Sequence, residues 1–221
     1  MTIQVLETPA GPGRLFLDAP TSSPRAVLLL GHGAGGGVEA FDLAALAAAL
    51  PDEGIAVVRF EQPWRTAGRR VAGPPASLDA AWRPAVAWTT TAFPEVPLFV
   101  GGRSAGARVA CRCFAAPARG VVALSFPLHP PGKPERSRAP ELAPVAPATV
   151  VVQGERDPFG TPDEVRGALA ALGAAPSALV TVPGAAHSFE PRSKAARDRA
   201  EGIAALITGA VADWIGAAVS R

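Results

Sequence analysis

Short apolar runs alternate with segments of helical periodicity along most of the chain. The apolar runs predict buried strands over residues 26–30, 55–60, 98–101, 121–126, 149–153 and 178–182. Helical spacing predicts helices over residues 41–50, 77–92, 104–116, 162–172 and 203–218, and Pro84 is expected to kink or end the second of these. Two alternating segments, residues 3–7 and 14–18, predict an N-terminal hairpin.

This order of elements predicts the fold class. Strands bracketed by helices are typical of βαβ units, and continuously apolar strands indicate a sheet that is covered on both faces. The prediction is a single α/β domain over residues 1–221, with a mostly parallel sheet flanked by helices. Two long loops, residues 61–75 and 126–147, lie within that domain, and loops of this length tend to be functional. A chain of 221 residues leaves no room for a large helical lid, so we expect these two loops to shape a shallow pocket.

A serine motif follows the strand predicted at residues 98–101. Residues 102–106 read Gly-Arg-Ser-Ala-Gly, which is the G-x-S-x-G pattern between an apolar strand and a helix. So tight a turn requires small neighbours and places Ser104 at its tip, where the backbone N–H of Ala105 faces a reacting oxygen. The alternative is a helix that simply begins at Ser104 as its N-cap.

Two residues could complete a nucleophilic triad with Ser104. A serine nucleophile needs a base, and the base needs a carboxylate to orient it. Asp157 follows the strand predicted at residues 149–153, and His187 follows the next strand, so both should lie at carboxyl ends of strands. Glu155 is the competing acid. The alternatives are a carboxylate at a helix entry for Asp157 and a surface histidine for His187.

A glycine-rich loop follows the strand predicted at residues 26–30. Residues 31–37 read Gly-His-Gly-Ala-Gly-Gly-Gly, and such a backbone can approach a ligand closely. We expect the Ala34 N–H to be the second donor of an oxyanion hole, and His32 to make structural hydrogen bonds. A phosphate-binding loop is the alternative, although the P-loop signature is absent from the sequence.

These motifs together resemble the α/β-hydrolase superfamily over nearly the whole chain. The stretches at residues 32–36, 102–106, 126–134 and 153–160 look like those of small dienelactone-hydrolase-like members. They are close to a bacterial subgroup that is similar to a domain of a eukaryotic chromatin-complex subunit, thought to act as a scaffold. The resemblance implies the fold and the triad, and it says little about the substrate.

The expected function is therefore hydrolysis of a small or medium carboxylic ester or thioester through an acyl-enzyme. Ser104 attacks, His187 carries the proton, and Asp157 orients His187. The alternative is a binding or scaffold module of the same fold with little turnover. Candidate substrate contacts are Arg103, His129, Trp64 and Arg65, although Arg103 could instead form a structural ion pair and Trp64 could pack in the core.

The two long loops also carry basic residues that could favour an acidic substrate. Arg59, Arg65, Arg69 and Arg70 fall around the first loop, and His129 and Lys133 fall in the second. If both loops border Ser104, the mouth of the site is positively charged. The alternative is a solvated loop, because arginine is abundant throughout the chain.

Composition limits the classes of partner and cofactor that we expect this chain to bind. The 221 residues carry 21 basic and 19 acidic side chains, a net charge of +2, which is too balanced for a dedicated nucleic-acid binder. No metal or other cofactor is expected, since only three histidines and two cysteines occur. Cys111 and Cys113 should stay reduced, with at least one of them buried. The sequence shows no secretory signal and no uninterrupted apolar span, so we expect a cytoplasmic protein without a membrane segment.

Overall fold

The computed structural model describes residues 1–190 and 199–220, within which eight strands and seven α-helices form. The strands are β1 (Thr2–Leu6), β2 (Gly13–Asp18), β3 (Ala26–Gly31), β4 (Ile55–Glu61), β5 (Leu98–Arg103), β6 (Val121–Leu124), β7 (Thr149–Gly154) and β8 (Ala178–Val182). The helices are α1 (Phe41–Ala49), α2 (Pro63–Thr66), α3 (Pro75–Ala92), α4 (Ala105–Arg112), α5 (Ala139–Leu142), α6 (Pro162–Ala170) and α7 (Ala200–Val219). Further 3₁₀ segments span Leu50–Glu53, Pro134–Arg136 and Ala143–Ala148.

All eight strands join one sheet in the order β1-β2-β4-β3-β5-β6-β7-β8. β1 and β2 pair antiparallel at one edge, and the pairs from β4 to β8 are parallel. Every residue of β3, β4 and β7 is buried, because helices cover both faces of the sheet. One apolar layer includes side chains of α3, α4, α5 and α6, and the other includes side chains of α1 and α7. The predicted α/β fold is confirmed.

The parallel strands bring their carboxyl ends to one edge of the sheet. Gly31 at the end of β3 pairs with Gly102 in β5, and Arg103 at the end of β5 pairs with Leu124 at the end of β6. The turns after β3, β5, β7 and β8 therefore open on the same side, where ligands bind in sheets of this kind.

Prolines lie inside α3 and shortly after the end of α4. α3 begins at Pro75, a favoured first position, and continues through Pro84 instead of ending there. A proline inside a helix costs about 3 kcal/mol. Burial of Leu78, Trp82 and Ala85 against the sheet offsets that cost. α4 ends at Arg112, earlier than predicted, since a helix reaching residue 116 would put α conformation directly before Pro117.

The two long loops contain short helical segments that the sequence analysis treated as irregular. Within residues 1–190 and 199–220, none of these segments in either loop exceeds six residues, so the loops build no large helical lid. Periodicity cannot detect elements this short. Both cysteines are free, as predicted: Cys111 is buried and Cys113 is half-buried.

Helix α7 combines a buried stripe with an unusually apolar composition. Ile207, Val211 and Ile215 are fully buried against the sheet. By length and composition alone, α7 could also cross a bilayer, with a mean hydropathy of 1.7 over its most apolar window. The sequence analysis expected no membrane segment, because no uninterrupted apolar span of sufficient length occurs.

Candidate active site

Ser104 occupies a strained turn between β5 and α4. Its backbone has φ 52° and ψ −110°, a conformation that costs energy for any residue with a side chain. A Cβ at either Gly102 or Gly106 would collide with the carbonyl oxygen of Gly31, so β3 can lie against the turn only if both residues are glycine. The Ser104 N–H donates to the Leu124 carbonyl over 2.9 Å and fixes the turn to β6.

The structure brings Ser104, His187 and Asp157 into one hydrogen-bonded chain. His187 Nε2 lies 2.9 Å from Ser104 Oγ, and His187 Nδ1 lies 2.8 Å from Asp157 Oδ2. With its proton on Nδ1, facing the carboxylate, the imidazole presents Nε2 as an acceptor for the serine hydroxyl proton. This arrangement can activate a serine for attack on a carbonyl carbon.

Two hydrogen bonds hold the Asp157 carboxylate in addition to its contact with the imidazole, and one ring contact holds the imidazole itself. The Phe159 N–H donates to Asp157 Oδ1 over 2.8 Å, and Gln153 Nε2 donates to Asp157 Oδ2 over 3.0 Å. The Phe159 ring packs on the His187 ring, with centroids 4.2 Å apart. Asp157 is only 2% exposed, so these contacts determine how its oxygens are oriented.

Glu155, the competing acid, lies elsewhere. Its side chain is exposed, and Oε2 accepts the N–H of Gly184 over 2.7 Å. The hydrogen bonds of His187 Nδ1 go to Asp157 instead.

The Arg103 guanidinium is held by two partners within the protein. Nε donates to buried Asp42 of α1 over 3.1 Å, and Nη2 donates to the His187 carbonyl over 2.8 Å. Burial raises the pKa of Asp42, and the Arg103 charge acts in the opposite direction. Arg103 was also a candidate substrate contact, and that role stays a prediction. The structural ion pair is what forms, because Asp42 needs a cation in the interior.

The glycine-rich loop lies against the serine. A Cβ built on Gly33 would be 3.4 Å from the Ser104 Cβ, which places this loop directly beside the reacting side chain. Ala34 and Ala105 line a common cleft of about 10 Å³, roughly the volume that one water molecule needs. The two predicted oxyanion donors thus lie in the turns after β3 and β5, and both turns line this one small cleft.

His32 supports this loop through two hydrogen bonds. Nδ1 lies 2.8 Å from the Gly33 carbonyl, and Nε2 accepts the Gln62 N–H over 3.1 Å. This pair of bonds fits a neutral ring protonated on Nδ1, and burial lowers the pKa of His32. Its role is structural, as the sequence analysis expected.

The other three predicted substrate contacts, Trp64, Arg65 and His129, lie in different surroundings. Trp64 is 7% exposed and packs on the His32 ring. It also lines the cleft, so Trp64 is at once a core residue and part of the cleft wall. Arg65 is half-buried and lies 3.6 Å from Glu39. His129 is buried, with Nδ1 3.0 Å from the Pro130 carbonyl and Nε2 3.6 Å from Glu164. Neither Arg65 nor His129 is among the residues that line the cleft.

The predicted positive mouth is weaker than the sequence suggested. Arg59 is 8% exposed and bonds Asp18 over 2.9 Å and the Val38 carbonyl over 2.9 Å. Its charge is therefore matched inside the protein. Arg69 and Arg70 are exposed beyond α2.

Sequence analysis missed Asp42, Gln153 and Phe159. Gln153 and Phe159 have a local signal, since Gln153 near the end of β7 is four residues before Asp157 and Phe159 is two residues after it. The only sequence signal for Asp42 is that it is an acidic residue in an otherwise apolar helix. Within residues 1–190 and 199–220, no group of three or more His, Cys, Asp and Glu side chains is placed to hold a metal ion.

Comparisons with known proteins agree with this fold. Residues 24–216 match the family described as alpha/beta hydrolase domain. A serine hydrolase homologue from Coxiella burnetii superposes with a TM-score of 0.75 at 15% identity, covering 95% of this chain and 97% of that one. XC6422 from Xanthomonas campestris, a serine hydrolase without lid, gives a TM-score of 0.73 at 22% identity over 96% and 94% of the chains. Est1E from Butyrivibrio proteoclasticus with bound ferulic acid gives 0.70 at 14% identity over 96% and 99%.

Proposed function

Because the chain belongs to the alpha/beta hydrolase domain family, we propose that it is a serine hydrolase acting on small carboxylic esters or thioesters. The observation that carries the proposal is the chain of hydrogen bonds from Ser104 through His187 to Asp157. A binding module has no chemical need for a serine hydroxyl 2.9 Å from an imidazole that a buried carboxylate orients. We also propose that, within this family, the chain is one of the small dienelactone-hydrolase-like members.

Acylation is the first half of the proposed reaction. His187 Nε2 takes the hydroxyl proton as Ser104 Oγ attacks the carbonyl carbon, and a tetrahedral intermediate forms. The N–H groups of Ala34 and Ala105 donate to its oxyanion. Asp157 holds the Nδ1 proton and stabilises the imidazolium. Collapse breaks the bond to the leaving alkoxide or thiolate, which receives the proton from Nε2.

Deacylation repeats the same steps with water. His187 Nε2 removes a proton from a water molecule, whose oxygen attacks the acyl carbon on Ser104. The second tetrahedral intermediate uses the same two donors, and its collapse returns the proton to Ser104 Oγ and releases a carboxylic acid. The ferulic acid bound to Est1E supports an acid of small size as a ligand for this fold.

A panel of p-nitrophenyl esters and acyl thioesters tests the proposal. The wild-type protein should hydrolyse at least the short-chain members, and Ser104→Ala should reduce kcat by at least about 10³-fold. Ser23→Ala, which alters an exposed loop serine, is the matched control and should retain wild-type rates. A folded protein that hydrolyses no member of either series would contradict the proposal and favour the alternative, a binding module.

A further inference from the structure

The turn after β7 carries two side chains that meet His187. Asp157 begins this turn, and the Gly160 N–H donates to the Asp157 carbonyl over 3.1 Å, which closes a four-residue β-turn. Proline suits the second position of such a turn, and Pro158 occupies it. The Asp157 carboxylate accepts the Phe159 N–H over 2.8 Å, so the third residue of the turn is fixed relative to the first. The residue that orients the base and the residue that stacks on it therefore come from one turn.

The other side of the Phe159 backbone is held by the loop after β6. Its carbonyl accepts the His129 N–H over 3.0 Å. The next residue, Gly160, packs so closely on this loop that a Cβ there would be 2.7 Å from the Leu128 Cβ. Phe159 is thus bonded through both its N–H and its carbonyl, so its backbone has little freedom to move. The ring is in place before a substrate arrives, which is the condition for electrostatic stabilisation without reorganisation.

Packing in the core does not account for the position of the Phe159 ring. Within residues 1–190 and 199–220, this half-buried side chain is in neither of the two apolar layers that cover the sheet. Its ring lies instead on the ring of His187, with centroids 4.2 Å apart and planes inclined by 31°. At this distance and angle, the imidazole meets the face of the phenyl ring and not its edge.

The charge on His187 changes during the proposed reaction. The ring becomes an imidazolium each time Nε2 takes a proton, first from Ser104 and then from water. The face of a phenyl ring is negative and attracts a cation within about 6 Å of its centroid. The Phe159 face therefore favours the imidazolium over the neutral imidazole, and this preference acts only in states that form during turnover. Interactions of that kind raise kcat and leave KM unchanged.

We propose that Phe159 is a positioning residue of this reaction, whose ring face stabilises the imidazolium form of His187. The inference rests on the proposed hydrolase function and adds to it an aromatic support for the base. Asp157 acts through its charge at Nδ1, whereas Phe159 acts through its π-electrons on the face of the imidazole, so the two contributions can be changed separately. A residue that only fills space could be replaced by any side chain of the same shape.

Fluorination of the ring at Phe159 changes its electrons and keeps its shape. Nonsense suppression can place trifluorophenylalanine or pentafluorophenylalanine at this position, and each added fluorine weakens the negative face. Hydrolysis of p-nitrophenyl acetate should slow in steps, to a kcat about tenfold below wild type for the pentafluoro ring, with KM and Tm unchanged. Phe159→Leu should lose at least as much activity, and Phe159→Tyr, which keeps an aromatic face, should retain the wild-type rate.

Pentafluorophenylalanine in place of Phe93 is the matched control. Phe93 is also half-buried, and it lies between α3 and the start of β5, whereas Ser104 follows the end of β5. This variant should keep the wild-type kcat. Equal kcat values across the series at Phe159, or the same loss at both positions, would overturn the inference. A wild-type protein that hydrolyses no ester would refute the hydrolase function itself, and the inference would fall with it.

Discussion

The hydrogen bond from Arg103 to the His187 carbonyl leads us to predict that Arg103 holds His187, the proposed base, in position. Arg103 directly precedes Ser104, and its Nη2 donates to the carbonyl of His187 over 2.8 Å. One side chain thus joins the turn carrying the serine to the loop carrying the base. Replacing Arg103 by Met removes this bond and also leaves the Asp42 carboxyl, which is fully buried, without its cation.

Two separate effects follow from Arg103→Met. Breaking a buried ion pair from one side costs about 3 kcal/mol, which for a domain of this size lowers Tm by about 6–12 °C. Loosening His187 costs catalysis, because displacement of a catalytic group by about 1 Å can reduce the rate about 10²-fold. The double variant Asp42→Asn/Arg103→Met removes the buried charge, so most of the stability should return while kcat/KM stays low.

Thermal unfolding and hydrolysis of p-nitrophenyl acetate separate these effects. Arg108→Met is the matched control, since Arg108 pairs with Glu141 through two bonds and makes none to His187. It should lower Tm without changing kcat/KM. If the double variant of Asp42 and Arg103 recovers both Tm and kcat/KM, Arg103 acts only through stability and the positioning argument is refuted.

Two further predictions concern the carboxylate and the buried histidine. Asp157→Asn should fold and lose kcat by up to about 10⁴-fold, because the amide favours the wrong imidazole tautomer, whereas Glu155→Gln should keep its rate. The reverse pattern would reassign the acid. Because burial lowers the pKa of His32 from 6.5, the unfolded chain binds a proton that the folded chain does not, and the free energy of unfolding should fall as the pH drops below about 6.5. His32→Gln should flatten that dependence in urea unfolding at pH 5.5 and 7, and an unchanged slope would assign the loss to other groups.

The sequence predicted those features that depend on local pattern. Apolar runs gave the buried strands, and the residue types after β5, β7 and β8 indicated which side chains meet at the sheet edge. This works because parallel strands align their carboxyl ends whatever lies between them. The small residues around Ser104 carry the same kind of signal, since only glycine fits next to Gly31.

The partners of the arginines could not be predicted in this way. Arg103 meets Asp42 across 61 residues of sequence, and Arg59 meets Asp18 across 41. Which charges pair depends on how α1 and β2 pack, and periodicity does not specify that. The sequence analysis therefore named both arginines as candidates for the site, with a structural ion pair as the alternative for Arg103 and a solvated loop for Arg59. In the structure both side chains pair with carboxylates of the protein.

Labelling with a fluorophosphonate probe tests the central claim most directly, because only an activated serine reacts with it. At neutral pH, the wild-type protein should be labelled stoichiometrically, with the adduct on Ser104 in the peptide map. His187→Ala, which keeps the serine and removes the base, should be labelled far more slowly, and Ser104→Ala should not be labelled. Absence of labelling in the folded wild-type protein, or an adduct on another serine, would contradict the account.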